Sequence, residues 1–168
     1  MEARLVRRLW ILRHAKSSWD HPGLADHDRP LAARGKKAAR RIARWAETNN
    51  VRPDLVLCST AVRAQATLDL VRPGLGDPVE RVERSLYHAS VDEVLERVAA
   101  ADDALAGILL IGHNPTLHEL AMVLAPPGPD AFPTGALAGL RLEIDFWHEI
   151  RPGCGLIETY VVPRSLVH

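Results

Sequence analysis

Leu9-Trp10-Ile11-Leu12-Arg13-His14-Ala15-Lys16-Ser17 is the stretch from which the architecture can be read. Its four apolar residues read as a short buried strand, and the run ends abruptly in an arginine and a histidine. Residues 15–30 are polar and hold two prolines, Pro22 and Pro30, so a loop follows the strand.

The same grammar recurs along the chain. Residues 55–58 and 108–111 are two more short apolar runs that read as buried strands. Between and after them lie helical patterns. Ala38, Ile42 and Trp45 would form one face of the first, with arginines and lysines opposite. Ala61, Ala64, Leu68 and Val71 repeat at helical spacing in the second. Ser90 and Glu93 form a capping box ahead of a stripe at Val91, Val94, Leu95 and Val98. Asn114-Pro115 reads as a helix opening, with asparagine as N-cap and proline at the first helical position, before Leu117, Leu120, Ala121 and Leu124. Residues 136–144 and 156–162 are β-rich and predict two neighbouring antiparallel strands at the end of the sheet. Strands alternating with helices predict an α/β fold. It is a three-layer αβα sandwich with a mostly parallel central sheet and an antiparallel strand near the C-terminal end.

Composition narrows the possibilities. The 168 residues suit a single domain over 1–168, and 47% hydrophobic content argues against disorder. Lys+Arg and Asp+Glu each total 21, a balance that argues against nucleic acid or a membrane surface as partner. The apolar residues 9–12 are too few for a signal-peptide core, so the expected location is the cytoplasm. Cys58 and Cys154 lie far apart with no CxxC pair, so neither a disulfide framework nor a cysteine zinc site is expected. Cys58 reads as a small core residue.

Three strand ends carry unexpected polar groups: Arg13-His14, then Ser59 and Arg63, then His113-Asn114. In open parallel sheets the carboxyl ends of the strands meet at the ligand crevice. Any one of these residues could be a solvated loop residue. Together they predict a cationic pocket suited to a phosphate dianion.

These residues also resemble a known family. Leu12-Arg13-His14-Ala15-Lys16-Ser17 resembles the Arg-His-Gly motif of the histidine phosphatase superfamily, with Ala15 in place of the glycine. Asp28-Arg29-Pro30-Leu31 with Arg34-Gly35 resembles that superfamily's opening of the first helix. Residues 59–67 resemble its second arginine motif, and Gly112-His113-Asn114-Pro115 its second histidine motif. The short length and the Arg-His-Ala-Lys-Ser wording look most like the SixA-type phosphohistidine phosphatase branch. The resemblance implies a metal-independent phosphatase needing no cofactor. His14 would be the nucleophile, and Arg13, Arg63 and His113 would hold the phosphoryl oxygens. Ser17, Lys16 and Asn114 are further candidate substrate contacts. Where larger relatives have an asparagine near the phosphate this chain has Asp20, whose role is not carried over.

A general acid does not stand out. Glu83 and His88 are the candidates in the stretch where relatives carry one, while Asp92 and Glu93 are explained by the helix dipole. Imidazole leaves phosphorus with less help than an alkoxide, which favours phosphohistidine in a protein as the substrate. A small phosphorylated substrate is the alternative, as are a non-catalytic phosphoprotein-binding module and a metallohydrolase using His113, His118 and Glu119.

Overall fold

The computed structural model describes residues 5–166. Six strands form one sheet in the order β3-β2-β4-β1-β5-β6. They are β1 (Arg7–Arg13), β2 (Leu55–Ser59), β3 (Val79–Glu83), β4 (Gly107–Gly112), β5 (Leu137–Leu142) and β6 (Gly155–Val161). The first four run parallel, and β5 runs antiparallel between β1 and β6. The helices are α1 (Ala33–Thr48), α2 (Val62–Val71), α3 (Val91–Ala99) and α4 (Thr116–Leu124). The expected α/β sandwich, with its antiparallel strand near the C-terminal end, is the fold observed.

The near-continuous apolar strands are explained by burial on both faces. Successive side chains alternate across the sheet. Leu9, Ile11, Leu55, Leu57, Ile108 and Leu110 therefore join α3, α4 and the fully buried Trp147 on one face. Trp10, Leu12, Val56, Cys58, Leu109 and Ile111 join α1 and α2 on the other. Burial pushes the Cys58 thiol up to about 12, in keeping with a core residue.

Three details depart from the sequence reading. The strand β3 was not anticipated, because its pattern VERVE is mostly solvent-exposed at the sheet edge. The inward face of α1 is Gly35, Ala39, Ile42, Ala43 and Ala46, whereas Ala38 and Trp45 sit only half-buried beside it. Small residues decide that face because α1 lies close against the backbone beneath it. The helix after Asn114 begins at Thr116 with Pro115 as its N-cap residue, so Pro115 does not occupy the first helical position. The Asn114 side chain still accepts a bond from the His118 amide, at 3.3 Å. The capping box of Ser90 and Glu93 forms as expected.

Gly35 joins α1 to the segment that follows β1. A β-carbon there would lie 2.1 Å from the backbone oxygen of Lys16, with no flexible side chain to yield. Gly35→Ala is therefore expected to lower unfolding free energy by about 1–3 kcal/mol in urea titration, the usual cost of overpacking. Gly23→Ala, with nothing within 4 Å of the added carbon, is the control and should shift stability by less than about 0.5 kcal/mol.

Candidate active site

The carboxyl ends of β1, β2 and β4 come together, as parallel strands require. His14 follows β1 directly and is 6% exposed. Its backbone is clamped on both sides: its amide donates to Gly112 O at 3.0 Å, and its carbonyl accepts from the Gly135 amide at 3.0 Å. The ring Nδ1 lies 2.7 Å from the carbonyl oxygen of Ala15. A carbonyl only accepts, so Nδ1 bears the hydrogen and Nε2 keeps its lone pair. Arg63 Nε approaches that lone pair at 3.4 Å.

Arg63 reaches the site from the second residue of α2, on the face that also buries Ala64, Thr67 and Leu68. Thr67 links α2 to the β1 end: its hydroxyl donates to Arg63 O at 2.7 Å and accepts from the Ala15 amide at 3.0 Å. The Arg63 guanidinium is held by Asp26, through the backbone oxygen at 2.7 Å and the carboxylate at 3.0 Å. It also donates towards His113 Nδ1 at 3.5 Å. Because Nδ1 accepts there, His113 Nε2 carries the hydrogen and donates to Ser59 Oγ at 2.8 Å. The His14 and His113 ring centroids are 5.2 Å apart.

Burial lowers the His14 pKa to about 4, and nearby Arg63, Arg13 and Arg29 push the same way. Loss of solvent is the larger part of this shift. His113 is lowered to about 3, first by burial and then by His14 and Arg63. Both imidazoles are thus neutral near pH 7. The pocket's positive charge comes from its arginines. Arg13 donates to Phe132 O at 3.1 Å, while its buried Nε has no hydrogen-bond partner. Arg29 Nε is likewise buried without a partner. Donors left unpaired in a buried pocket are costly unless a ligand accepts from them.

His14, Arg63 and His113 thus lie in mutual contact, and Arg13 is close enough to Arg63 for each to repel the other's charge. The remaining candidates are engaged by other partners or are exposed. The Ser17 hydroxyl is engaged by Arg29. The Asn114 amide donates to Phe132 O at 2.7 Å. Lys16 is exposed and faces a separate groove beside α1. Asp20 is exposed too. Glu83 is clasped by Arg97 through both carboxylate oxygens, at 2.7–3.0 Å. His88 lines a hollow next to His113, its ring 4.0 Å from Tyr87. His118 is bonded to Pro129 O, and among the described residues no group of three or more His, Cys, Asp or Glu could hold a metal ion.

Sequence reasoning missed Asp26 and Tyr87, and quoted Arg29 only as part of a motif. Tyr87 donates to Asp26 Oδ2 at 2.6 Å. That bond, followed by the Arg63 contact, holds the Asp26 carboxyl below its ordinary range. Arg29 packs its guanidinium 3.5 Å over Trp19. No local pattern marks Asp26, which sits in a three-residue 3-10 turn within the long first loop.

Comparison with known proteins agrees with this arrangement. Residues 9–85 match the family described as histidine phosphatase superfamily (branch 1). The uncharacterized protein Rv1276c of Mycobacterium tuberculosis is 40% identical over 163 residues, covering 91% of this chain and all of that protein. The phosphohistidine phosphatase SixA of Escherichia coli is 29% identical over 140 residues, covering 81% of this chain and 86% of that protein. A solved structure of the protein histidine phosphatase SixA complexed with tungstate superposes with a TM-score of 0.82 at 27% identity, covering 95% of this chain and 99% of the other. Among the described residues no helix is long and apolar enough to cross a membrane. Sequence motifs, fold and relatives therefore agree that this chain belongs to the histidine phosphatase superfamily and is a phosphatase.

Proposed function

We propose that this chain removes phosphoryl groups from phosphohistidine in proteins, without a metal, by way of a phosphoryl group held covalently on His14. The reading rests on one observation: His14 Nδ1–H is tied to Ala15 O, which leaves the Nε2 lone pair facing the arginines.

In the first step Nε2 forms a bond to phosphorus as the P–N bond to the substrate imidazole breaks. The departing ring takes up a proton, and a phosphorylated His14 remains. In the second step water attacks phosphorus, phosphate leaves, and Nε2 recovers its lone pair. His113 lines the same pocket with its Nε2–H given to Ser59, and Arg13 and Arg63 supply the charged donors for the non-bridging oxygens. Their charge stabilises the transition state in the way a metal ion does elsewhere. The unpaired Nε donors of Arg13 and Arg29 suit an incoming dianion.

The choice of phosphohistidine over an alkyl phosphate follows from the carboxylates. Glu83 is tied to Arg97, and Asp26 is held ionised by Tyr87 and Arg63, so neither suits donation of a proton to an alkoxide. Imidazole leaves with less assistance. The SixA relative is by name a phosphohistidine phosphatase, which favours the same substrate class.

Rapid quenching with a 32P-labelled phosphohistidine peptide tests the reading. Wild-type protein should trap an acid-labile, base-stable phosphoenzyme, and His14→Ala should trap none. Label retained on the alanine variant would sink the proposed nucleophile. Arg63→Ala should lower kcat by about 10²–10³-fold, the range for losing one oxyanion donor.

The lowered His14 pKa sets the pH dependence. The neutral, nucleophilic form persists as pH falls from 7 and is lost only below about 4. The acid limb of kcat/KM for the free enzyme should therefore lie near pH 4, well under the 6.5 of an ordinary histidine, once substrate ionisation is allowed for. A limb at the ordinary value would mean that His14 is solvated.

A further inference from the structure

A groove of about 580 Å³ is lined in part by Ala131, Pro133 and Thr134. Lys16, Arg34, Lys37, Arg41 and Arg164 line it, and no acidic side chain does. In a chain with 21 positive and 21 negative side chains, that is a strong local segregation. None of the five makes an ion pair or a side-chain hydrogen bond among the described residues.

Helix stability does not explain the pattern. A helix N-terminus favours acidic residues, yet the first turn of α1 has none and instead carries Arg34. Arg34, Lys37 and Arg41 succeed one another three and four residues apart, a like-charge spacing that costs a few tenths of a kcal/mol per pair. The cations are thus placed against the preference of the helix that bears them, and no internal anion compensates.

The groove adjoins the catalytic pocket. Lys16 is two residues from His14. Pro133 and Thr134 line the groove, and Phe132 in the same stretch holds Arg13 and Asn114 through its carbonyl. Ala38, Val162 and Pro163 add apolar surface among the charges. No aromatic side chain lines it, so nucleic-acid bases would find no stacking platform. The half-exposed carboxylates of Asp26 and Asp28 are paired with Arg63 and His27 and are not part of the groove's lining.

We propose that this groove binds an acidic segment of the protein that bears the phosphohistidine, docking it while the phosphoryl group reaches His14. The proposal rests on the phosphohistidine reading for its substrate but makes a separate claim about binding. Opposite charge across such a contact acts mainly on encounter and orientation, so salt should weaken it.

Fluorescence anisotropy with two labelled, unphosphorylated peptides tests it directly. One has several Asp and Glu residues flanking a histidine, and the other has Asn and Gln in their places. Wild-type protein should bind the acidic peptide at least about tenfold more tightly, an advantage erased near 0.5 M salt. Lys37→Glu with Arg41→Glu should abolish it. Arg164→Glu, on a segment outside α1, should weaken it independently, so a defect in α1 cannot imitate the result. Hydrolysis of p-nitrophenyl phosphate by these variants should stay within about twofold of wild type. Equal binding of the two peptides to wild type, unchanged binding by the variants, or equal competition from single-stranded RNA would overturn the proposal. Tight acidic-peptide binding with no hydrolysis of its phosphohistidine form would uphold the groove and overturn the substrate assignment instead.

Discussion

A pocket built for a dianion must hold guanidinium groups close together before the anion arrives, and like charges repel strongly away from water. That constraint organises the site. Two of the partners of these arginines are backbone oxygens, from Asp26 and Phe132, which compensate without cancelling the charge. One carboxylate, Asp26, braces Arg63 from the rim and is itself held by Tyr87. The two histidines add no charge, because burial keeps them neutral. Two arginine Nε groups remain buried without a partner.

The fold meets this constraint through segments far apart in sequence. The central position of β1, between β4 and β5, places His14 deep in the molecule while leaving it at a strand end. The backbone around it is clamped by Gly112 from β4 and by Gly135 ahead of β5. Thr67 carries the restraint on to α2 and so to Arg63. Gly35 allows α1 to press against Lys16, immediately beyond the nucleophile. The precision of the site therefore belongs to the two packed faces of the sheet and not to the loop alone. Beside it, the unpaired cations of α1 and Arg164 extend positive surface outward from the pocket.

Much of this was legible in the residues. Short apolar runs ending in polar groups located β1, β2 and β4, and the capping box located α3. The edge strand β3 escaped notice because a strand exposed to water loses the apolar pattern that marks a buried one. The buried face of α1 was misjudged for the opposite reason. Where a helix approaches backbone closely, alanine and glycine are chosen over larger apolar residues, and periodicity weighted by size points slightly astray.

The sequence by itself determined the alternation of three buried strands with helices, the two antiparallel strands that follow, and the polar residues at the strand ends, and hence the expectation that His14, Arg63 and His113 meet. Those follow from local pattern and from the rule that parallel strands present their carboxyl ends together. Only the tertiary structure decided the rest. It selected the His14 tautomer through the Ala15 carbonyl, brought Asp26 and Tyr87 to brace Arg63, and withdrew Glu83 into a pair with Arg97. It also turned Lys16 towards α1 and away from the nucleophile's contacts. Each of these depends on distances of a few ångströms between groups remote in the chain. Hydrogen bonding and desolvation act through space, and no local run of residues encodes them.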